Sequence, residues 1–415
     1  MDGNDIQNVK FETGLNRTES GRPAFFGSPF VEATAPLNGN ALWMRWGEYM
    51  VVDTYSNMAD EVKAIRERVA MGDMSPLSKY RISGSDAEDF LDGLIPRPIA
   101  KLQDEQIYYS PWCTEEGNVI GDGLIIREDA NNFLISADPG LKWWTSNIRS
   151  RDVNVSDETD NFGILTLQGP KSRETVAAAA DGEFSELPFS RLGWVTIAGQ
   201  KIRIIRQGFT GEHGYELWVP RAHGVAVWEA VAKAGAQFDI LPAGAWALDI
   251  ARIEAGLLIV GYDYTSAGPD GGAAGVYAAG TLRASPLDLG LGRLIDYDGG
   301  DFVGKAALSA KTESGDHRQL VGLEIDWKGF ESDAPGNLTR VRWYPASLTA
   351  DGRDAGFATS VTWSPTTRRL IGFGHVAKEF AEPGTQLQAA LSENDADTVT
   401  ATVIKLPFYK LNRSC

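Results

Sequence analysis

The strongest constraint on this chain is a change of pattern in its last third. Up to about residue 260, helix-spaced apolar residues alternate with β-type runs. From about 318 onward there are only short β runs between turn signals, at 320–327, 355–363, 370–376 and 399–406. Short strands with no helices beside them bury their apolar faces by pairing with one another, which predicts a small all-β unit at the C-terminal end. Between the two patterns, residues 265–280 are almost all Gly, Ala, Ser and Pro and read as a long loop. The 415 residues suffice for two or three domains. The expected division is an N-terminal arm over 1–50 packing on the core, a mixed region over 51–310 and the all-β unit over 311–415.

Within the mixed region, Val62, Ile65 and Val69 predict a helix over 56–71, with Gly72 placed to end it. Residues 80–82 read as a strand. Ser85 and Glu88 predict a capping box before Phe90, Leu91 and Leu94, and Pro96 and Pro98 stop that helix. Residues 107–136 read as strand, turn, strand, strand, with the turn at Glu115-Glu116-Gly117-Asn118. Residues 164–168 form a strand, and Gly169-Pro170 opens a helix to about 180. Strands are expected at 201–206 and 215–219, and helices at 225–235 and 245–255, the last closed by Gly256. Residues 1–40 read as an extended arm.

Charge narrows the function. Lys plus Arg is 39 and Asp plus Glu is 56, a net charge of 39 − 56 = −17. Such a surface repels phosphate backbones, so nucleic acid is not the expected partner. No apolar run reaches the roughly 18 residues that a membrane helix needs, so no membrane partner is expected. The two cysteines, Cys113 and Cys415, make no disulfide framework and suit a reducing cytoplasm. The four histidines lack metal-ligand spacing, so no metal site is expected. No Walker A loop, no G-x-G-x-x-G after a strand, no H-E-x-x-H and no G-x-S-x-G occurs. The run Gly271-Gly272-Ala273-Ala274-Gly275 lacks the Lys-Ser/Thr of a phosphate cradle and reads as a flexible loop.

Three segments place polar groups among apolar ones. In Gly121-Asp122-Gly123 the carboxylate precedes an apolar strand; the glycines either let a ligand approach or simply make a turn. In Gly214-Tyr215-Glu216-Leu217-Trp218, Glu216 points to the face opposite Tyr215 and Leu217. There it either accepts two N–H donors from a heterocycle or faces solvent. In Asp249-Ile250-Ala251-Arg252, the two charges lie three apart on a helix and either pair or leave Arg252 for a ligand.

Together these segments resemble the T-protein family, the tetrahydrofolate-dependent aminomethyltransferases of glycine cleavage and their demethylase relatives. Leu165-Thr166-Leu167-Gln168-Gly169-Pro170-Lys171 is similar to the family's strand–helix turn L-x-L-Q-G-P-K. The stretch from Arg206 to Glu216 is similar to R-T-G-Y-T-G-E-x-G-x-E, and Arg252-Ile253-Glu254-Ala255-Gly256-Leu257 to R-L-E-A-G-L. Asp301-Phe302-Val303-Gly304-Lys305 and Ser364-Pro365 with Ile371-Gly372-Phe373-Gly374 continue the match in family order. The resemblance implies an α+β fold of two mixed lobes around a central folate cavity, plus a C-terminal β-barrel.

The resemblance also implies roles. Tyr109 stands 13 residues before Asp122, the family spacing that makes Asp122 the reaction-centre carboxylate. Glu216 matches the Glu that holds the pterin N–H edge, Arg252 the Arg that lines the folate and substrate pocket, and Phe209 the aromatic position beside the pterin. Tyr109 belongs to the same folate-binding set, while Trp112 and Tyr264 are candidate substrate contacts. Two departures stand out: Gly121 replaces the first Asp of the family's pair, and Met71-Gly72-Asp73-Met74-Ser75-Pro76 lacks the glycine-cleavage His. They point toward the demethylase branch, in which a methyl group passes from a small methylated substrate (an aromatic ether, a sulfonium or an ammonium compound) to N5 of tetrahydrofolate. The alternatives are an aminomethyltransferase that works with a lipoyl carrier protein, and a folate-binding protein without turnover.

Overall fold

A computed structural model describes residues 26–269, 282–326, 345–391 and 398–410. The first 25 residues of the expected arm, the Gly271–Gly275 run and Cys415 lie outside the described residues. The fold is α+β: two mixed lobes and a closed six-stranded β-barrel.

The first lobe is a five-stranded antiparallel sheet. Its order is Ile107–Cys113, Val119–Asp129, Asn132–Ala137, Ser78–Ser83 and Asn154–Asp157. The second is a six-stranded sheet ordered Leu192–Ile197, Gln200–Ile205, Gly214–Pro220, Phe162–Gln168, Ala70–Asp73 and Leu241–Ala243, the last pair parallel. Strand alternation gives each sheet two apolar faces. The outer face of the six-stranded sheet, with Leu165, Leu167, Tyr215 and Leu217, packs against the helices Ser172–Ala179 and Gly224–Gly235. The outer face of the five-stranded sheet packs Ile82, Ile125 and Phe133 against Phe90 and Trp144.

The inner faces share one large core. Ile107, Cys113, Ile126 and Leu134 of the first sheet meet Ile164, Ile205 and Trp218 of the second. The helices Met58–Glu67 and Ala245–Glu254 enter the same core, and Ile371 and Phe373 bring the barrel to it. Every residue from Trp246 to Glu254 is buried, so this helix is an axle between lobes and barrel rather than a surface helix.

Local signals explain most elements. Asn57 caps its helix, accepting the Asp60 N–H at 2.9 Å. Gly256, at φ 76°, closes the Ala245–Glu254 helix as expected. Three expectations fail. The first helix ends at Glu67, and Gly72 lies inside the strand Ala70–Asp73, because pairing on both sides with Phe162–Gln168 and Leu241–Ala243 outweighs helical spacing. The Ser85–Glu88 capping box does not form. Ser85 Oγ donates to Asp152 instead, at 2.9 Å, and the Ala87–Asp92 helix begins without a side-chain cap. The described part of the expected arm is not extended: Val31–Leu37 is helical, and Phe30 is buried against Trp228. The Lys305–Ser314 helix leaves little trace in the sequence, because its apolar stripe is thin, with Leu308 alone buried.

Candidate functional site

Asp122 lies within the strand Val119–Asp129, not in a turn. It is in register with Pro111, while Tyr109 is paired with Leu124 and Trp112 with Gly121. Alternation therefore sets Tyr109, Asp122 and Leu124 on the inner face and Trp112 on the outer one. Trp112 is 2% exposed, stacks on Trp143 at a centroid distance of 6.2 Å and packs tilted against Trp144 at 5.0 Å. The structure thus removes Trp112 from the candidate substrate contacts, because it stands an odd number of residues from Tyr109 on the same strand.

The flanking glycines serve packing. A Cβ on Gly121 would stand 3.1 Å from the Trp112 ring, and one on Gly123 only 2.4 Å from the Ser136 carbonyl oxygen. They admit a ring and a neighbouring strand rather than a ligand.

Two phenols hold the Asp122 carboxylate. Tyr109 donates to Oδ2 at 2.7 Å, and Tyr264 donates to Oδ1. Burial raises the Asp122 pKa, the two phenol hydrogen bonds oppose that rise, and the charge of Asp263 adds to it. Both tyrosines are pushed well above their ordinary range, first by burial and then by Asp122, so they remain donors.

Tyr264 is held from the opposite side through its neighbour. Asp263 Oδ2 accepts from Arg252 Nη1 at 2.5 Å and from the Ile259 N–H at 2.9 Å. Oδ1 accepts from Thr359 and Ser360 of the barrel, at 2.8 and 2.5 Å. Arg252 also donates to Asp249 at 2.7 Å, to the Leu257 carbonyl at 3.0 Å and to Ser360 at 2.8 Å. It is 0% exposed. The expected ligand role for Arg252 is therefore not what the structure builds. Its guanidinium is spent on a strut joining helix, segment and barrel, since a buried charge needs its donors satisfied.

Glu216 lies on the inner face of the second sheet, 5% exposed, and so is not a solvated residue. Its contact from Trp218 Nε1 is long, 3.4 Å. Burial pushes its pKa up to about 7, and Lys79 draws it partly back. With one weak side-chain donor among the described residues, this buried carboxyl retains acceptor capacity for a flat N–H edge.

Phe209 borders a cavity of about 210 Å³, together with Trp46, Trp246, Tyr262 and Asp138. Asp138 follows the strand Asn132–Ala137, and its pKa is raised to about 7, by burial first and by Asp122 second. Sequence reasoning missed Asp138, Trp46, Trp246 and Tyr262. Only Asp138 carried a signal, an Asp-Pro-Gly at the end of an apolar strand.

A Ser–His–Glu chain also occurs. Ser172 Oγ is 2.9 Å from His213 Nδ1, and His213 Nε2 is 3.4 Å from Glu186. Ser172 is completely buried, so this chain ties the helix Ser172–Ala179 to the bend before the strand Gly214–Pro220 and presents no nucleophile.

The family model for the GCVT N-terminal domain matches residues 33–268, and that for the Glycine cleavage T-protein C-terminal barrel domain matches residues 318–410. The aminomethyltransferase of Thermosynechococcus vestitus is 31% identical over 382 residues, covering 91% of this chain and 95% of the relative. That of Caldanaerobacter subterraneus is 29% identical over 364 residues, covering 86% and 89%. The crystal structure of the glycine cleavage system aminomethyltransferase T from Bartonella henselae is similar with a TM-score of 0.76 over 93% of this chain and 98% of that one. At 22% identity, that likeness speaks for the fold.

Proposed function

The chain belongs to the glycine cleavage T-protein family, and from that premise we propose that it transfers a one-carbon unit to tetrahydrofolate, with Asp122 as the proton-handling carboxylate. The observation that carries the reading is the inner-face Asp122 clamped by Tyr109 and Tyr264. Tetrahydrofolate, when bound, supplies a nucleophilic ring nitrogen for the one-carbon unit. The residues fit such a group, because Glu216 is buried with unused acceptor capacity. Glu216 would accept the pterin N–H edge, and Phe209 would flank the ring. Tyr109 and Tyr264 keep the Asp122 oxygens fixed and lower the cost of their charge, so that Asp122 can take up a proton. Alignment contributes about 7–11 kcal/mol in well-oriented pairs, and a positioned base about 10²–10⁴-fold.

The relatives' name, aminomethyltransferase, supports an aminomethyl donor over a methyl donor. In that reading the partner is a lipoyl carrier protein. Methyl transfer from a small methylated substrate is the second reading, and Gly121 favours it. Where the resemblance expects an Asp, the Trp112 ring already stands 3.1 Å from the Cβ position.

The test is a product assay with tetrahydrofolate and each donor class. Formation of 5,10-methylene-tetrahydrofolate only with a lipoyl-bound aminomethyl donor supports the first reading. Formation of 5-methyl-tetrahydrofolate supports the second. Tight folate binding with neither product would overturn one-carbon transfer altogether.

A further inference from the structure

Asp138 has no role in the hydrogen-bonding that holds Asp122. Among the described residues its carboxylate has no hydrogen-bond donor and no ion-pair partner. It nevertheless borders the cavity enclosed by Trp46, Phe209, Trp246 and Tyr262. The groups that act on it, or that it acts on, are all acids: Asp122, Tyr262 and Tyr264. The other charged residues on the cavity wall are Arg45, which is exposed at the rim, and Asp249, which already answers Arg252. A carboxylate in such a place lacks a counter-charge, and aromatic faces attract cations that have shed water.

We infer that this end of the cavity is a cation subsite, in which Asp138 and the aromatic walls hold the positively charged head of the one-carbon donor, an ammonium or sulfonium group. The inference rests on the one-carbon-transfer reading and sharpens it. It selects donors that carry positive charge, and it sets aside neutral aromatic methyl ethers. Both an aminomethyl donor, through its ammonium end, and a methylated onium compound satisfy it. Asp138 contacts the donor's charge and not the reacting carbon, so it determines specificity rather than chemistry.

The test is calorimetric binding to the full chain of choline and of its uncharged isostere 3,3-dimethylbutan-1-ol, with tetrahydrofolate affinity measured in parallel. Wild-type protein is expected to bind choline at least tenfold more tightly than the isostere. Asp138→Asn should bring the two ligands to equal affinity, Asp138→Glu should restore part of the difference, and tetrahydrofolate affinity should stay within twofold in both variants. Equal affinity for the two probes in the wild type, or binding of neither, overturns the cation subsite even if tetrahydrofolate binds. An unchanged preference in Asp138→Asn overturns the assignment to Asp138. Discrimination of choline without any binding of tetrahydrofolate leaves the subsite standing and overturns the transfer reading.

Discussion

Tyr264 donates its hydroxyl to the carboxylate of Asp122 although 142 residues separate the two in the chain. One belongs to a sheet of the first lobe, the other to a segment beyond the buried helix. Asp263, next to Tyr264, is clamped by Arg252 and by two hydroxyls of the barrel. The state of the Asp122 carboxylate therefore depends on how the barrel seats against the lobes.

Asp122→Asn should lower kcat by at least about tenfold, as loss of a positioned base would. Tetrahydrofolate affinity should change by less than about twofold, because the substitution keeps shape and volume. Single-turnover kinetics beside a binding titration would decide it, and an unchanged kcat would remove Asp122 from the chemistry.

Tyr264→Phe removes one of the two donors that oppose the rise of the Asp122 pKa. The carboxylate then becomes harder to ionise, so its pKa rises further. If the ionised form is the active one, the acid limb of the kcat/KM profile moves to higher pH, and the plateau above it is partly recovered. A limb that stays in place would show that Tyr264 does not control Asp122.

Glu216→Gln should weaken tetrahydrofolate binding, since the amide offers one acceptor oxygen instead of a carboxylate. It also has a stability signature. The Glu216 pKa is raised to about 7, above its ordinary value of 4.5. The folded state therefore holds this proton more tightly than the unfolded state, and stability falls as pH rises from about 4.5 through about 7. At pH 8 the unliganded Gln variant should be more stable than the parent by up to roughly 3–4 kcal/mol, at about 1.4 kcal/mol per pKa unit over the shift from 4.5 to about 7. Below pH 4.5 the difference should vanish. Paired thermal melts at pH 4.5 and pH 8 would read it, and a constant difference would contradict the assignment.

Arg252→Met leaves Asp263 and Asp249 buried without their cation. The cost of breaking such a network is about 3–5 kcal/mol. Denaturant melts should show it. Tetrahydrofolate affinity, measured where the variant is still folded, should move little. A large loss of affinity with little loss of stability would restore Arg252 to the ligand-binding set.

Choline affinity should rise as pH rises through about 7, because a proton on Asp138 competes with the cation. Asp122, Tyr262 and Tyr264 couple to Asp138, and Arg45 and Asp249 share the cavity wall. The tyrosines remain protonated in this range, since Tyr264 is held well above its ordinary value and Tyr262 near 12. Asp138→Asn removes the carboxylate that the cation meets while Asp122 stays titratable, so the substitution should flatten the slope. A slope that persists in that variant would assign the proton to Asp122.

The sequence alone determined the elements whose signals are local. The three strands of 107–136 appear because alternating apolar residues and one Gly-Asn turn need no distant partner to be read. The all-β end is legible for the same reason, as is the Gly256 helix stop. The motif order was enough to identify the family, and it singled out Asp122, Glu216 and Tyr109. Tertiary structure decided what those signals could not carry. Gly72 entered a strand because two neighbouring strands flank it. Trp112 and Tyr109 share one strand, yet the pleat sends them to opposite faces. Arg252 reads as a ligand on its helix, yet Asp263 and the barrel's Ser360 use its donors. Asp138 acquired meaning only when a cavity of aromatic side chains from distant segments closed around it. Period and turn chemistry are properties of neighbours in the chain. Burial, charge pairing and the face a cavity presents are set by residues far apart in sequence, and these exist only once the lobes and the barrel have met.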